Sequence, residues 1–241
     1  MPPADHETIY SFLSWNLAML AVSEQSPTGW DAEYTEDVIR RIVLREKPHW
    51  VFYQEIPQHV PYAEGYELIR EQTDSHSGSI VSLVRQDLAD EEPMEHTAIP
   101  NCAVLSTIPR LELTLANVHL PPGKSGVANR SRAIQRILEA TTTDQLVVVG
   151  DTNTRVDEES SFAKLGFHIQ RPPSATWNTK VNRFRSNDRR YTAYYTRYFA
   201  KGQVAVEDVK VHDVPMSVDG RQFFLSDHFA LSGRIRVAED E

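Results

Sequence analysis

The sequence predicts an α/β fold whose strands carry polar residues to one rim, and three observations lead there. Leu146-Val147-Val148-Val149 is an apolar run ending at Gly150, the pattern of a strand buried on both faces. Between strand-like runs lie segments with helical spacing of apolar residues, such as Val38, Ile39, Ile42 and Val43. The strand-like runs themselves end in Asn16, Glu55, His119 and Asp151, polar side chains that a core strand does not need.

Taken in order, Thr8 to Asn16 alternates apolar with small or polar residues and reads as the first strand. Thr35 is placed to cap a helix, with Glu36 and Asp37 where the helix dipole favours negative charge, and Pro48 stops the pattern. Trp50 to Tyr53 is a short buried strand that runs into Gln54 and Glu55. Tyr66 to Arg70 and Ser79 to Val84 are two further strands across a polar turn, and the acidic stretch Asp87 to Glu95 reads as a solvated loop. Val104 to Ser106 and Leu111 to His119 form a hairpin turning at Pro109. Beyond Pro121-Pro122-Gly123, Asn129 to Ala140 has the spacing of a helix, with Arg130, Arg132 and Arg136 on its exposed side. Glu158 to Leu165 is a short helix, Val204 to Val211 a strand, and Asp227 and His228 stand just before the last strand.

Composition sets limits on what this scaffold does. The 241 residues, 40% of them hydrophobic, suffice for a substantial core, and residues 1–241 are expected to form a single domain. One cysteine, Cys102, excludes a disulfide framework and a cysteine-rich zinc site. The start of the chain carries no basic and apolar leader, and no run approaches the roughly eighteen apolar residues of a membrane span, so a soluble, intracellular protein with no membrane partner is expected. A net charge of −9 argues against a surface coated for non-specific nucleic-acid binding, though not against a local basic groove. The stretch Lys180 to Arg197 is the one basic and aromatic cluster: Arg183, Arg185, Arg189, Arg190 and Arg197 are interleaved with Phe184, Tyr191, Tyr194 and Tyr195, and Trp177 precedes them. These residues are candidates for gripping phosphate and stacking on bases, or else form a solvated strand pair.

Gly150-Asp151-Thr152-Asn153 alone is most simply a turn closing a strand. In company with Asn16, Glu55, His119, Asp227 and His228 it reads differently. Carboxylates with amides and no cysteine select a hard cation such as Mg²⁺ or Mn²⁺, which keeps waters and meets substrate phosphate. Histidines then suit phosphate contacts and proton transfer, and the chemistry indicated is phosphoester hydrolysis. No His-Glu-x-x-His helix and no phosphate-binding P-loop sequence occurs.

Ser14-Trp15-Asn16, Gln54-Glu55, Asn117-Val118-His119-Leu120, Gly150-Asp151-Thr152-Asn153 and Ser226-Asp227-His228 follow the order and rough spacing of the endonuclease/exonuclease/phosphatase (DNase I-like) superfamily, which the chain resembles over nearly its whole length. Within it, Thr154-Arg155 after the fourth motif, Thr176-Trp177-Asn178-Thr179, and Arg132 with Gln135 look most similar to the 5′-tyrosyl-DNA phosphodiesterases. The resemblance implies a four-layer α/β sandwich of two packed mixed sheets with helices outside and the site at one rim. It also implies roles: Glu55 as main Mg²⁺ ligand with Asn16 beside it, Asp151 positioning or deprotonating water with help from Asn153, His119 and His228 binding phosphate, and Asp227 supporting metal or water. The implied substrate is a phosphoester, at DNA or RNA ends.

Two positions depart from that pattern. Ala18 stands where many relatives carry an Asp, and Thr196 stands where an Asp orients the terminal His. A hydroxyl can bond the His228 ring but does not stabilise an imidazolium as a carboxylate does. Alternative readings are a phosphatase or phosphodiesterase for a small phosphoester, which suits the acidic chain, and a binding domain in which catalysis has weakened.

Overall fold

The computed structural model describes residues 7–57, 61–74, 78–184 and 189–238. β1 (Glu7–Asn16) leads to α1 (Ala32–Glu46), which is capped by Asp31: its Oδ1 accepts the Tyr34 N–H at 2.9 Å. The cap thus falls one turn before Thr35, which lies buried inside the helix and accepts a hydrogen bond from Trp30 Nε1. Lys47 ends the helix in the left-handed region and Pro48 keeps it ended. β2 (Trp50–Ile56), β3 (Tyr66–Asp74) and β4 (Gly78–Arg85) follow.

The acidic stretch expected as a loop is instead α2 (Gln86–Glu91) and the start of β5 (Glu95–Ile99). A single buried side chain, Leu88, seats the helix, too little periodicity to show in the sequence. β6 (Ala103–Ile108) and β7 (Leu113–His119) form the expected hairpin around Pro109. α3 (Val127–Ala140) buries Ala133, Ile134 and Ile137, and with them Arg130, which is fully buried rather than exposed. β8 (Gln145–Asp151) is followed by α4 (Glu159–Ala163), β9 (His168–Ile169), β10 (Trp177–Asn178), β11 (Thr192–Ala193) and β12 (Thr196–Lys201). The chain ends in β13 (Ala205–His212), β14 (Met216–Val218), β15 (Arg221–Phe223) and β16 (Ala230–Ala238).

Two six-stranded mixed sheets result, ordered β13-β16-β1-β2-β4-β3 and β5-β6-β7-β8-β12-β9. Phe12, Phe52, Leu115, Val147, Val149 and Leu231 pack between them, the inward halves of strands with alternating sides. On the outer face of the first sheet, Ile39 and Val43 of α1 meet Leu13, Val51 and Val81. On the outer face of the second, Ile134 and Ile137 of α3 meet Ala116, Val118 and Val148. The four layers are therefore helix, sheet, sheet and helix. No helix among the described residues is long and apolar enough to cross a membrane.

Register delivers the polar residues. β1 and β2 are parallel with Asn16 opposite Gln54, so Asn16 and Glu55 leave the first sheet at one end. β7 and β8 are parallel with His119 opposite Asp151, and Thr196 of antiparallel β12 lies opposite Asp151 on its other side. Gly150 makes that register possible. Its φ is +139°, and a Cβ there would stand 2.3 Å from the Val118 carbonyl oxygen and 2.9 Å from its nitrogen. Gly150→Ala is therefore expected to destabilise the fold by about 3 kcal/mol or more, read as a lowered midpoint in urea unfolding, because the clash is with backbone that cannot rotate away.

Candidate active site

Asn16 lies at the centre of the rim. Its Nδ2 donates to Glu55 Oε1 at 3.0 Å and to Asp151 Oδ2 at 2.9 Å, while its Oδ1 accepts the Ala18 N–H at 2.9 Å. One amide thus ties a carboxylate of each sheet together and offsets part of their mutual repulsion. The Ala18 contact is made by a turn in which Ala18, Met19 and Leu20 all have positive φ, 48°, 60° and 52°. For residues with a Cβ that conformation costs on the order of 1 kcal/mol each. Glu55 and Asn153 are also left-handed, at 51° and 50°, so backbone strain gathers at the rim.

Asp151 is almost fully buried between two imidazoles. Its Oδ2 lies 3.7 Å from His119 Nε2 and 3.6 Å from His228 Nε2, and its Oδ1 accepts the Asn153 N–H at 3.1 Å. Asn153 in turn donates through Nδ2 to the Leu120 carbonyl at 2.9 Å, joining the turn after β8 to the end of β7. His119 Nε2 is also 3.5 Å from Glu55 Oε1. Glu55, His119 and Asp151 offer ligand atoms within 4.8 Å of one another, a separation and donor set that can hold a divalent cation. Because Asn16 turns its NH₂ toward the carboxylates, it braces this group and offers it no oxygen in this arrangement.

His228 is fixed from several sides. Its N–H donates to Ser226 Oγ, its carbonyl accepts from Trp15 Nε1 at 3.1 Å, and its Nδ1 lies 3.2 Å from Thr196 Oγ1. The hydroxyl at position 196 thus does take the place opposite the imidazole. Asp227 lines the same cleft, whose volume is about 320 Å³. Trp177 packs edge-on to the His228 ring at 4.9 Å and stacks near Tyr191 at 6.4 Å, with Tyr195 at 5.7 Å. Burial, then the bond to Tyr191, pushes the Tyr195 hydroxyl above the usual phenol range. A larger cavity of about 520 Å³ lies behind the His228 loop, lined by Trp15, Ile42, Met216 and Phe224; it is mainly apolar and holds no carboxylate cluster.

The basic cluster is distributed differently from the sequence expectation. Arg197 is buried, donates to Glu159 and to the Tyr194 carbonyl, and is unavailable to a ligand; burial also lowers its pKa from the usual guanidinium value. It lies one residue past Thr196 and so faces the opposite side of β12. Arg183, Arg189 and Arg190 are exposed and outside the cleft lining, Arg190 donating to the Thr179 carbonyl at 3.0 Å. Arg185 lies outside the described residues. The arginine that does line the cleft is Arg155, whose Nε is buried and makes no hydrogen bond. Its place four residues after Asp151, in the turn leaving the same strand, was the sequence signal for it.

The brace at Asn16 is testable apart from any activity. Asn16→Asp puts a third carboxylate about 3 Å from Glu55 and Asp151. The variant is expected to melt below the wild type without metal and to gain more in melting temperature on addition of Mg²⁺ or Mn²⁺, as measured by calorimetry. Equal metal-induced shifts would show that these carboxylates do not share an ion.

No protein-family model matches the sequence, and no curated protein matches it. Solved structures do match in fold. The chain superposes on truncated Caenorhabditis elegans TDP2 with a TM-score of 0.70 at 19% identity, over 94% of this chain and 97% of that one. D. rerio TDP2 complexed with a single-strand DNA product gives 0.71 at 18% identity, over 95% and 99%. The endonuclease domain of TRAS1, a telomere-specific non-LTR retrotransposon, gives 0.63 at 14% identity, over 97% and 100%. With two six-stranded sheets and the strand-end motifs gathered at one rim, the chain shares its α/β-sandwich fold, the DNase I-like one, with these structures.

Proposed function

We propose that the protein is a divalent-metal-dependent phosphodiesterase acting on phosphoester bonds at nucleic-acid ends. The observation that carries this is the convergence of Glu55, His119 and Asp151 within 4.8 Å, with His228 on the far side of Asp151 and Arg155 and Trp177 lining the same cleft. Fold neighbours described as bound to a single-strand DNA product and as an endonuclease domain support a nucleic-acid substrate.

The donors fit Mg²⁺ or Mn²⁺: Glu55 and Asp151 are two carboxylates from facing sheets with room for water, and His119 stands beside them. Glu55 would be its main holder, and such an ion, when bound, offsets the negative charge of the scissile phosphate. The protein's own groups do the rest. Asp151 is held by Asn16 and by the Asn153 N–H, which leaves it oriented to align a water and take its proton as the oxygen attacks phosphorus. His119 and His228 present Nε2 on either side of Asp151 and donate to the phosphoryl oxygens. As the new P–O bond forms, the old one breaks and the leaving oxygen departs. Trp177 and the tyrosines beside it offer an aromatic wall on which a terminal base or ring can pack.

One feature favours the small-phosphoester reading: among the described residues Arg155 is the only Lys or Arg lining the cleft, and the chain carries −9 overall. Salt separates the two readings. For a nucleic-acid end KM rises steeply with ionic strength, and for a small phosphoester it changes little.

With Mg²⁺ or Mn²⁺, the wild type is expected to cleave thymidine 5′-monophosphate p-nitrophenyl ester and 5′-adducted or plain oligonucleotide ends. Asp151→Asn and Glu55→Gln should each lower kcat by about 10³-fold with melting temperatures close to wild type. No turnover of any of these substrates by the folded, metal-loaded wild type would refute the proposal.

A further inference from the structure

Arg130 is a buried cation that the chemistry above does not use. Its Nε and Nη2 donate to Glu158 Oε2 and Oε1 at 2.8 and 2.6 Å, and its Nη1 donates to the Pro121 and Gly123 carbonyls at 2.6 and 2.9 Å. The fork-to-fork geometry is the strongest a guanidinium and carboxylate can make. Gly126 leaves the space for it, since a Cβ there would lie 2.6 Å from Arg130 Nη1. A buried pair of this type stabilises a fold little more than apolar packing would, but it fixes whatever it holds.

What it holds is the mouth of the cleft. Pro122 and Gly123, on one lip, belong to the loop whose carbonyls Arg130 binds. On the other lip, Glu158 Oε1 also accepts the Arg155 backbone N–H at 3.2 Å, so the carboxylate oriented by Arg130 orients Arg155 in turn. Arg155 lines the cleft with a buried Nε that makes no hydrogen bond, and its charge reaches the Tyr195 hydroxyl.

We propose that Arg130 is a positioning residue: through Glu158 it holds Arg155 at the cleft wall, where the Arg155 guanidinium meets an oxygen of the substrate phosphate. This assignment deepens the phosphodiesterase reading and rests on it for the identity of the ligand. Asp151 and Glu55 stand outside the chain of contacts, so the pair acts on substrate grip and leaves metal binding alone.

The test is a double-mutant cycle between Arg130→Lys and Arg155→Ala, read by the fluorescence anisotropy of a labelled, 5′-phosphorylated single-stranded oligonucleotide and, where turnover occurs, by KM and kcat. Lysine keeps the charge but cannot span Glu158 and two carbonyls at once. Arg155→Ala should weaken binding about 10-fold and Arg130→Lys about 5-fold, raising KM in step, with Mn²⁺ affinity within 2-fold of wild type; in the Arg155→Ala background Arg130→Lys should add less than 2-fold. Glu158→Gln provides the same cycle if Arg130→Lys does not fold. Multiplying penalties, or Mn²⁺ affinity falling with substrate affinity, would overturn the assignment, as would unchanged binding in Arg155→Ala. A wild type that binds the oligonucleotide but turns nothing over refutes the phosphodiesterase reading, and the binding cycle still decides the role of Arg130.

Discussion

The rim depends on a hydrogen bond that crosses the sandwich beneath it. Gln54 Nε2, from the first sheet, donates to Asn117 Oδ1, from the second, at 2.7 Å, and Asn117 Nδ2 answers with bonds to the Tyr53 and Val81 carbonyls. Both side chains are fully buried. Apolar contacts between two sheets are tolerant of sliding, whereas a directed bond between buried amides is not. Glu55 is the residue after Gln54, and His119 is two after Asn117, so fixing this bond fixes the offset between an acid of one sheet and an imidazole of the other. Gly150 packs against the same amide, with its Cβ position 3.1 Å from Gln54 Nε2.

Above that bond the rim is unfavourable taken by itself. Two carboxylates approach through one amide, five residues with side chains adopt positive φ in the turns at Ala18–Leu20, Glu55 and Asn153, and Trp177 Nε1 and Arg155 Nε are buried without partners. The burden is carried by layers below it, where Phe12, Phe52, Leu115 and Val149 pack between the sheets. Backbone strain gathered at the ends of well-packed strands is the pattern expected where structure is organised for a ligand.

The sequence reveals the strands and their polar ends because both signals are local. A β-branched run that stops at Gly150-Asp151, or a Trp50–Tyr53 run that stops at Gln54-Glu55, is read within a few residues. What it hides depends on distant partners. Arg130 looks like a surface arginine on an amphipathic helix until Glu158, 28 residues away, is brought beside it. Arg197 looks like a phosphate ligand until Glu159 meets it across 38 residues. Asn16 is legible as a site residue, but which end of its amide faces the carboxylates is settled only by the N–H of Ala18. Thr35 has the residue type of a cap, but Asp31, four residues earlier, takes that role, and the Thr35 hydroxyl accepts from the Trp30 indole inside the helix.

The placement of Glu55 on one sheet and of His119 and Asp151 on the other has a mechanical consequence. Among the described residues no connection between the two sheets crosses at the rim, so an ion or a phosphate that engages all three side chains would be a staple across a seam. Its binding resists the motion by which the sheets would part, and ligand affinity and seam stiffness become two measures of one coordinate. A sandwich bridged in this way is stiffer with a ligand across the seam than without one, so the site would become most rigid when alignment to a fraction of an ångström matters most.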